Sequence, residues 1–257
     1  MATHYCKDKT CKKGGAFYYA LRKTPHDLRE AIICIQTFYQ EILDSLFDCH
    51  DSAISRARLN WWRDEVDRAF KKEASHPVTL ALQTTLKKFP LNKKLFFSII
   101  NGMESYLNYP VFETQAEAFQ FFSQFTGSRE LLFLNLVNEI KDHEHYAYQL
   151  GAGLEIIHQL RHLKRVLDKG HFFFSKDIIT PENCMPEALK KEADIARHYL
   201  TQAKKIKLQN KSLQKFNTIR IKLALTLLDA LEKSYFPVLT HSIKLNPIRK
   251  LFLTLSI

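Results

Sequence analysis

Turn-forming residues are scarce in this chain: 7 glycines and 8 prolines among 257 residues leave long stretches without the punctuation that ends helices and opens hairpins. The alternation of apolar and polar residues that marks a half-buried strand is missing, and the short aromatic run Phe172-Phe173-Phe174, after a glycine, reads as loop or the start of a helix. No apolar stretch spans a bilayer, because segments such as Ala224 to Leu231 are broken by charge well short of the roughly 20 residues that a crossing needs. Low-complexity tracts, internal repeats and linkers are absent too, so the simplest organisation is one domain, residues 1–257, with a substantial core. Cys6, Cys11, Cys34, Cys49 and Cys184 form no disulfide framework and suit a reducing compartment. His4, Cys6 and Cys11 lack the spacing and the fourth ligand of a metal site.

What remains is helical. Apolar residues recur at helical spacing from Leu28 to Phe47, where Ile32, Ile35, Phe38, Ile42, Leu43 and Leu46 make a wide stripe. Similar stripes cover Leu95–Leu107, Ala116–Ile140, Leu150–Leu167, Ile195–Ile206 and Ile219–Leu239, which predicts an all-α fold. Thr24-Pro25-His26-Asp27 marks the start of a second helix and Ser75-His76-Pro77 that of a fourth. Thr180-Pro181-Glu182-Asn183 and Asn246-Pro247 are further breaks, and His143-Glu144-His145, beside Lys141 and Asp142, reads as a solvated connection.

The net charge is +11, which favours anionic partners. Lys and Arg are spread along the chain without a nucleic-acid-binding motif or stacking platform, so no nucleic-acid partner is expected. From Ile243 to Ile257, Lys244, Arg249 and Lys250 stand beside Leu251, Phe252, Leu253 and Leu255, a pattern suited either to an anionic lipid surface or to a last helix packed on the core with a basic outer face.

Several short motifs recur in a telling order: Tyr5-Cys6, Phe17-Tyr18-Tyr19-Ala20 with Pro25 and Arg29, Trp62-Arg63, His76-Pro77-Val78, Asn101-Gly102-Met103-Glu104, the stretch Glu155 to Asp177, and Pro247-Ile248-Arg249-Lys250-Leu251. Over nearly the whole chain this resembles the squalene/phytoene synthase family. The resemblance implies a single-domain isoprenoid synthase-type helical bundle around a central cavity, whose active members use Mg²⁺ held by two aspartate pairs. It begins near His4, leaving no room for a leader, so an uncleaved cytoplasmic protein is expected, at most peripheral to the inner face of a membrane.

The departures cluster where the family binds metal. With Arg161 and Gly170 set on the family's Arg and Gly, His162 and Val166 fall on the two aspartate positions of the second signature. In the first signature, Phe38 to Asp48, Leu43 and Phe47 stand where aspartates belong. Asp44 and Asp48 are each displaced by one residue, which turns a side chain by about 100° around a helix. Ala16 replaces a small hydroxyl residue, Gln40 an arginine, and Glu155 and His158 the Gln and Asn of the second signature. The residues expected to meet a ligand are Tyr18, Tyr19, Gln36, Gln40, Leu43, Phe47, Glu155, His158, Arg161, His162 and Arg165. Glu155, His158 and His162, at i, i+3 and i+7 of one helix, are also an alternative transition-metal set. Trp62 is expected to be a buried anchor.

Three readings stay open. In the first, the chain is a non-catalytic member that keeps the fold as a binding or scaffolding surface, similar to degenerate relatives that assemble respiratory complex I, with a protein partner and no cofactor. In the second, it is an isoprenoid transferase using Asp44, Asp48, Glu155 and Arg161 with Mg²⁺ in an unusual register. In the third, it binds an isoprenoid diphosphate or anionic lipid without metal, through a mouth turned basic.

Overall fold

The computed structural model describes residues 2–48, 51–141, 143–241 and 243–255; Cys49, Asp142, Ser256 and Ile257 lie outside them. Among the described residues there are twelve α-helices and no strand: α1 Ala2–Thr10, α2 Ala16–Leu21, α3 His26–Phe47, α4 Ser52–Lys71, α5 Pro77–Leu86, α6 Lys93–Asn108, α7 Gln115–Phe122, α8 Ser128–Asn135, α9 Glu144–Asp168, α10 Pro186–Lys205, α11 Lys211–Lys233 and α12 Pro247–Leu255. Two short helices open the chain, so the boundary at Pro25 starts the third helix and that at Pro77 the fifth.

Local chemistry fixes these boundaries. Asp51, Asn92, Thr114 and Asn210 each accept a backbone N–H of the helix they precede, satisfying donors that a helix start leaves free. His76 does the same through its ring nitrogen ahead of Pro77. Helix α9 begins at Glu144, so Glu144 and His145 belong to a helix and not to a connection.

The stripe from Ala116 to Ile140 is divided. A five-residue π turn, Ser123–Gly127, separates α7 from α8, and the helix ends at Asn135. Here α9 crosses at close range. A Cβ on Gly151 would lie 2.8 Å from the Gly127 nitrogen, and one on Gly127 would lie 2.6 Å from the Tyr148 ring. Glycine at both positions lets the backbones meet, and π turns of this kind recur at functional sites. Two residues beyond the turn stands Arg129, aimed inward.

Helix α9 packs along α10 and touches α8 and α11, while α3 packs against α1, α4, α5, α6 and α8. One core cluster runs through the bundle, with Phe38, Phe96, Phe125 and Phe133 among its fully buried side chains. Trp62 is buried in it, with its ring edge-on to Phe38 at 5.7 Å. Phe172–Phe174 is a loop, tied to the α6–α7 connection by an isolated bridge between Phe112 and Ser175.

Candidate functional site

Helical periodicity aims two sets of side chains at a cavity of about 300 Å³. Gln36, Tyr39, Gln40 and Leu43 come from α3, and Leu154, Ile157, His158 and Arg161 from α9; both sets follow the i, i+3, i+4, i+7 spacing of one helical face, and Glu155 joins the second from the position beside Leu154. Arg129 enters from α8, Arg220 and Leu227 from α11, Phe17 from α2 and Lys250 from α12.

The inner wall is a charged cluster. Glu130 accepts Arg129 Nε at 3.0 Å and Nη2 at 2.7 Å, and Arg220 Nη1 at 2.6 Å and Nη2 at 2.7 Å. Arg129 is only 5% exposed and Glu130 only 1%, a burial that side chains of this type tolerate only when paired. Burial works against the charge of Glu130, but Arg220 and Arg129 prevail and hold its pKa below the ordinary value. The Arg129 guanidinium lies over the Tyr39 ring, 4.3 Å from its centroid. Tyr39 in turn donates its hydroxyl to Glu155 at 3.0 Å, and Gln159 donates to the other Glu155 oxygen at 2.6 Å.

Toward solvent the character changes. Arg161 forms no ion pair with a described residue, and its buried Nε has no hydrogen-bond partner; burial lowers its pKa. The His158 pKa is lowered, by desolvation first and by Arg161, Arg129 and Arg165, against the opposing charge of Glu155. Lys250 donates to the Gly14 carbonyl at 2.7 Å.

The sequence-expected residues divide into two groups. Gln36, Gln40, Leu43, Glu155, His158 and Arg161 line the cavity together. The other five do not. Tyr18 faces a separate groove between α1 and α3, and Tyr19 is buried with its ring edge-on to Tyr18. Phe47 packs on His171 and Phe173. His162 and Arg165 open onto a second, basic pocket with Lys164, Lys169 and His241. The reason for that last displacement is local: His162 breaks the helical geometry of α9 (φ −108°, ψ 16°). Its pKa is pushed down to about 3 by burial and then by His158, Arg161, Arg165 and Lys244. Val166 is a core residue.

The two alternative metal arrangements are not assembled. Among the described residues no group of three or more His, Cys, Asp or Glu side chains converges on a point that could hold a metal ion. Glu155 is engaged by Tyr39 and Gln159, and the His158 ring lies 4.7 Å from that of His162, tilted by 48°. Asp44 accepts from Gln40 and pairs with Lys9 at 2.8 Å, and Asp48 is exposed at the end of α3. Magnesium requires several oxygen ligands in octahedral array. A cavity whose lining offers the single carboxylate Glu155 among Arg129, Arg161, Arg220 and Lys250 does not fit it.

Tyr39, Arg129, Arg220 and Lys250 were missed at the level of sequence. A signal existed for two of them: Arg129-Glu130 and Arg220 interrupt apolar runs, where a charge must be either solvated or paired.

A family model, squalene/phytoene synthase, matches residues 12–249. The chain belongs to the squalene/phytoene synthase family. A curated relative, presqualene diphosphate synthase of Rhodopseudomonas palustris, is 34% identical over 92 residues, 35% of this chain and 32% of that protein; the match therefore spans about a third of the relative's length. Among solved structures, a dehydrosqualene synthase in complex with ligand superimposes with a TM-score of 0.86 at 17% identity, covering 99% of this chain and 94% of that one. The squalene synthase HpnC from Alicyclobacillus acidocaldarius gives 0.76 at 16% identity, covering 91% and 94%. At such identities the likeness is one of fold, the all-α isoprenoid synthase fold.

Proposed function

We propose that this family member is a binding protein that does not condense isoprenyl diphosphates. The observation that carries the reading is the donor set of the cavity: one carboxylate, Glu155, already hydrogen-bonded on both oxygens, facing Arg129, Arg161, Arg220 and Lys250. Head-to-head condensation expels a diphosphate from an allylic carbon, and the charge on that leaving group needs strong stabilisation. Losing one stabilising donor elsewhere costs about 10²- to 10³-fold in rate, and a site without carboxylates to load magnesium loses more than one. The test is diphosphate release from farnesyl or geranylgeranyl diphosphate with and without Mg²⁺. The expected result is no release above the protein-free control; Mg²⁺-dependent release abolished by Asp44→Ala would reinstate the transferase.

A lipid surface is the partner we propose for α12. Ile248, Phe252 and Leu255 lie at i, i+4 and i+7 and are 63%, 67% and 57% exposed, while Leu251 and Leu253 pack against the core. Lys250, expected on the lipid side, turns inward. Arg249 stands beside Ile248 and Phe252 on this ridge, a cation that complements an anionic bilayer. No described helix is long and apolar enough to cross a membrane, so contact would be peripheral. Vesicles containing phosphatidylserine are expected to sediment the protein and Phe252→Ser to release it; equal sedimentation of the variant would refute the assignment, and capture of a defined protein through the same ridge would replace it with a scaffolding role.

A further inference from the structure

The cavity combines two features that neither a filled core nor a long apolar tunnel would have. At its lip, positive charge lacks a partner. Arg161 has a buried Nε with nothing to donate to, and the Lys250 ammonium makes one hydrogen bond among the described residues, to a backbone carbonyl. The two are near enough that Arg161, after burial, is the largest cause of the lowered Lys250 pKa, with Lys244 next. Half-buried cations held together with no carboxylate between them repel one another at reduced dielectric. An anion placed between them removes that cost and satisfies the orphaned donor.

Farther in, the wall is ionic. Arg129, Glu130 and Arg220 are engaged with one another at 2.6–3.0 Å, and Arg129 is sealed from below by the Tyr39 ring. An isoprenyl chain lying against this cluster would bury guanidinium edges under hydrocarbon and gain little apolar contact in return. Between lip and wall, Phe17, Leu43, Leu227 and Leu245 leave apolar room for a short group. The volume, about 300 Å³, stands at the lower end of the roughly 300–1,000 Å³ that encloses drug-sized ligands.

We propose that this cavity binds a compact phosphate or diphosphate ester, its anionic group held directly by Arg161 and Lys250 without a divalent metal, and its apolar part limited to a few carbons by the Arg129–Glu130–Arg220 cluster. The inference rests on the binding reading above and names the ligand class of that site. It differs from the resemblance in both respects, since the resemblance implies metal and long apolar tails.

Calorimetric titration of the full chain in EDTA tests it, using inorganic pyrophosphate, dimethylallyl diphosphate and farnesyl diphosphate. Affinities of the two esters are read by competition against pyrophosphate, so that a tail touching the outer ridge of α12 does not register. Pyrophosphate and dimethylallyl diphosphate are expected to bind at one per chain. Burial of each extra methylene is worth about 0.8 kcal/mol, so a tunnel would favour the fifteen-carbon ester by orders of magnitude, whereas here it gains no more than about threefold over the five-carbon one. Arg161→Gln and Lys250→Met should each weaken binding by about tenfold or more, the size of a lost charged hydrogen bond. Lys190→Gln, which removes a surface ion pair with Asp194 on α10, should leave it unchanged.

Absence of binding by all three anions at millimolar concentration overturns the proposal. So does a hundredfold preference for the farnesyl ester, or wild-type affinity in both Arg161→Gln and Lys250→Met. These failures are separable from failure of the parent reading: Mg²⁺-dependent diphosphate release refutes the non-catalytic assignment, whereas silence in both assays refutes only the ligand class.

Discussion

At the corner between α4 and α5, Glu65 accepts hydrogen bonds from Ser75, Thr79 and Arg68 side chains and from the Ser75 and His76 backbone, whereas across the bundle Arg161 and Gln159 keep a buried Nε and a buried Oε1 without partners. Both regions bury polar groups of the same kinds. In the corner, motifs distant in sequence complete one another. His76 presents its ring edge-on to Trp62 at 4.9 Å and to Tyr5 at 5.6 Å, and Arg63 of the Trp-Arg pair donates to Asn101 at 2.6 Å and to Glu104 of the Asn-Gly-Met-Glu stretch. In the cavity, Arg129, Glu130 and Arg220 close the inner wall while the lip at Arg161 stays open. Buried polar groups in folded proteins are nearly always satisfied, so the corner is a region completed by folding alone, and the lip is where our proposal seats a ligand.

The sharpest way to break the comparison is to unmake the corner. Burial would raise the Glu65 pKa, but hydrogen bonds from Thr79, Ser75, His76 and Arg68 hold it down to about 2. Removing the carboxylate leaves those donors desolvated, so Glu65→Ala should destabilise the protein by about 3–5 kcal/mol, read as a lower midpoint in urea. The folded fraction should bind pyrophosphate as the wild type does, because the corner lies outside the cavity. A loss below about 1 kcal/mol would mean that the corner is as loosely specified as the lip.

The helices were legible because their signals are local. The apolar stripes at Leu28–Phe47 and Leu95–Leu107 coincide with α3 and α6 to within two residues, and His76-Pro77 marks a start that the His76 ring nitrogen caps. The π turn was not legible, since the Ala116–Ile140 stripe carries on through it and the close crossing at Gly127 and Gly151 belongs to tertiary packing. Of the site, helical spacing on α3 and α9 reaches Gln36, Gln40, Leu43, Glu155, His158 and Arg161, which line one cavity. His162 and Arg165 line a different pocket, because periodicity assumes an unbroken helix and α9 bends at His162. Arg129, Arg220 and Lys250 come from three further elements, and their convergence is set by packing that no local spacing reports.

A second buried carboxyl sharpens the contrast from the opposite side. Glu192 on α10 is 1% exposed, and its Oε1 is buried without a partner. Burial first and Asp177 second raise its pKa to about 8 from 4.5, whereas the well-served Glu65 is depressed. The two therefore act on stability in opposite pH ranges. The Glu65 contribution is complete above pH 4.5 and fades as pH falls toward 2. The folded state keeps the Glu192 proton when the unfolded chain has released it, so the Glu192 contribution is complete below pH 4.5 and is lost as pH rises to about 8. At about 1.4 kcal/mol per pKa unit, the cost at alkaline pH is about 5 kcal/mol at most. Glu192→Gln supplies a neutral group of the same shape. It should leave stability at pH 4.5 within about 0.5 kcal/mol of wild type, raise it at pH 8, and flatten the profile between, as measured by urea denaturation across that range. A wild-type profile that rises from pH 5 to pH 8, unchanged in the variant, would show that Glu192 is ionised and served by donors after all, which would erase the distinction between it and Glu65.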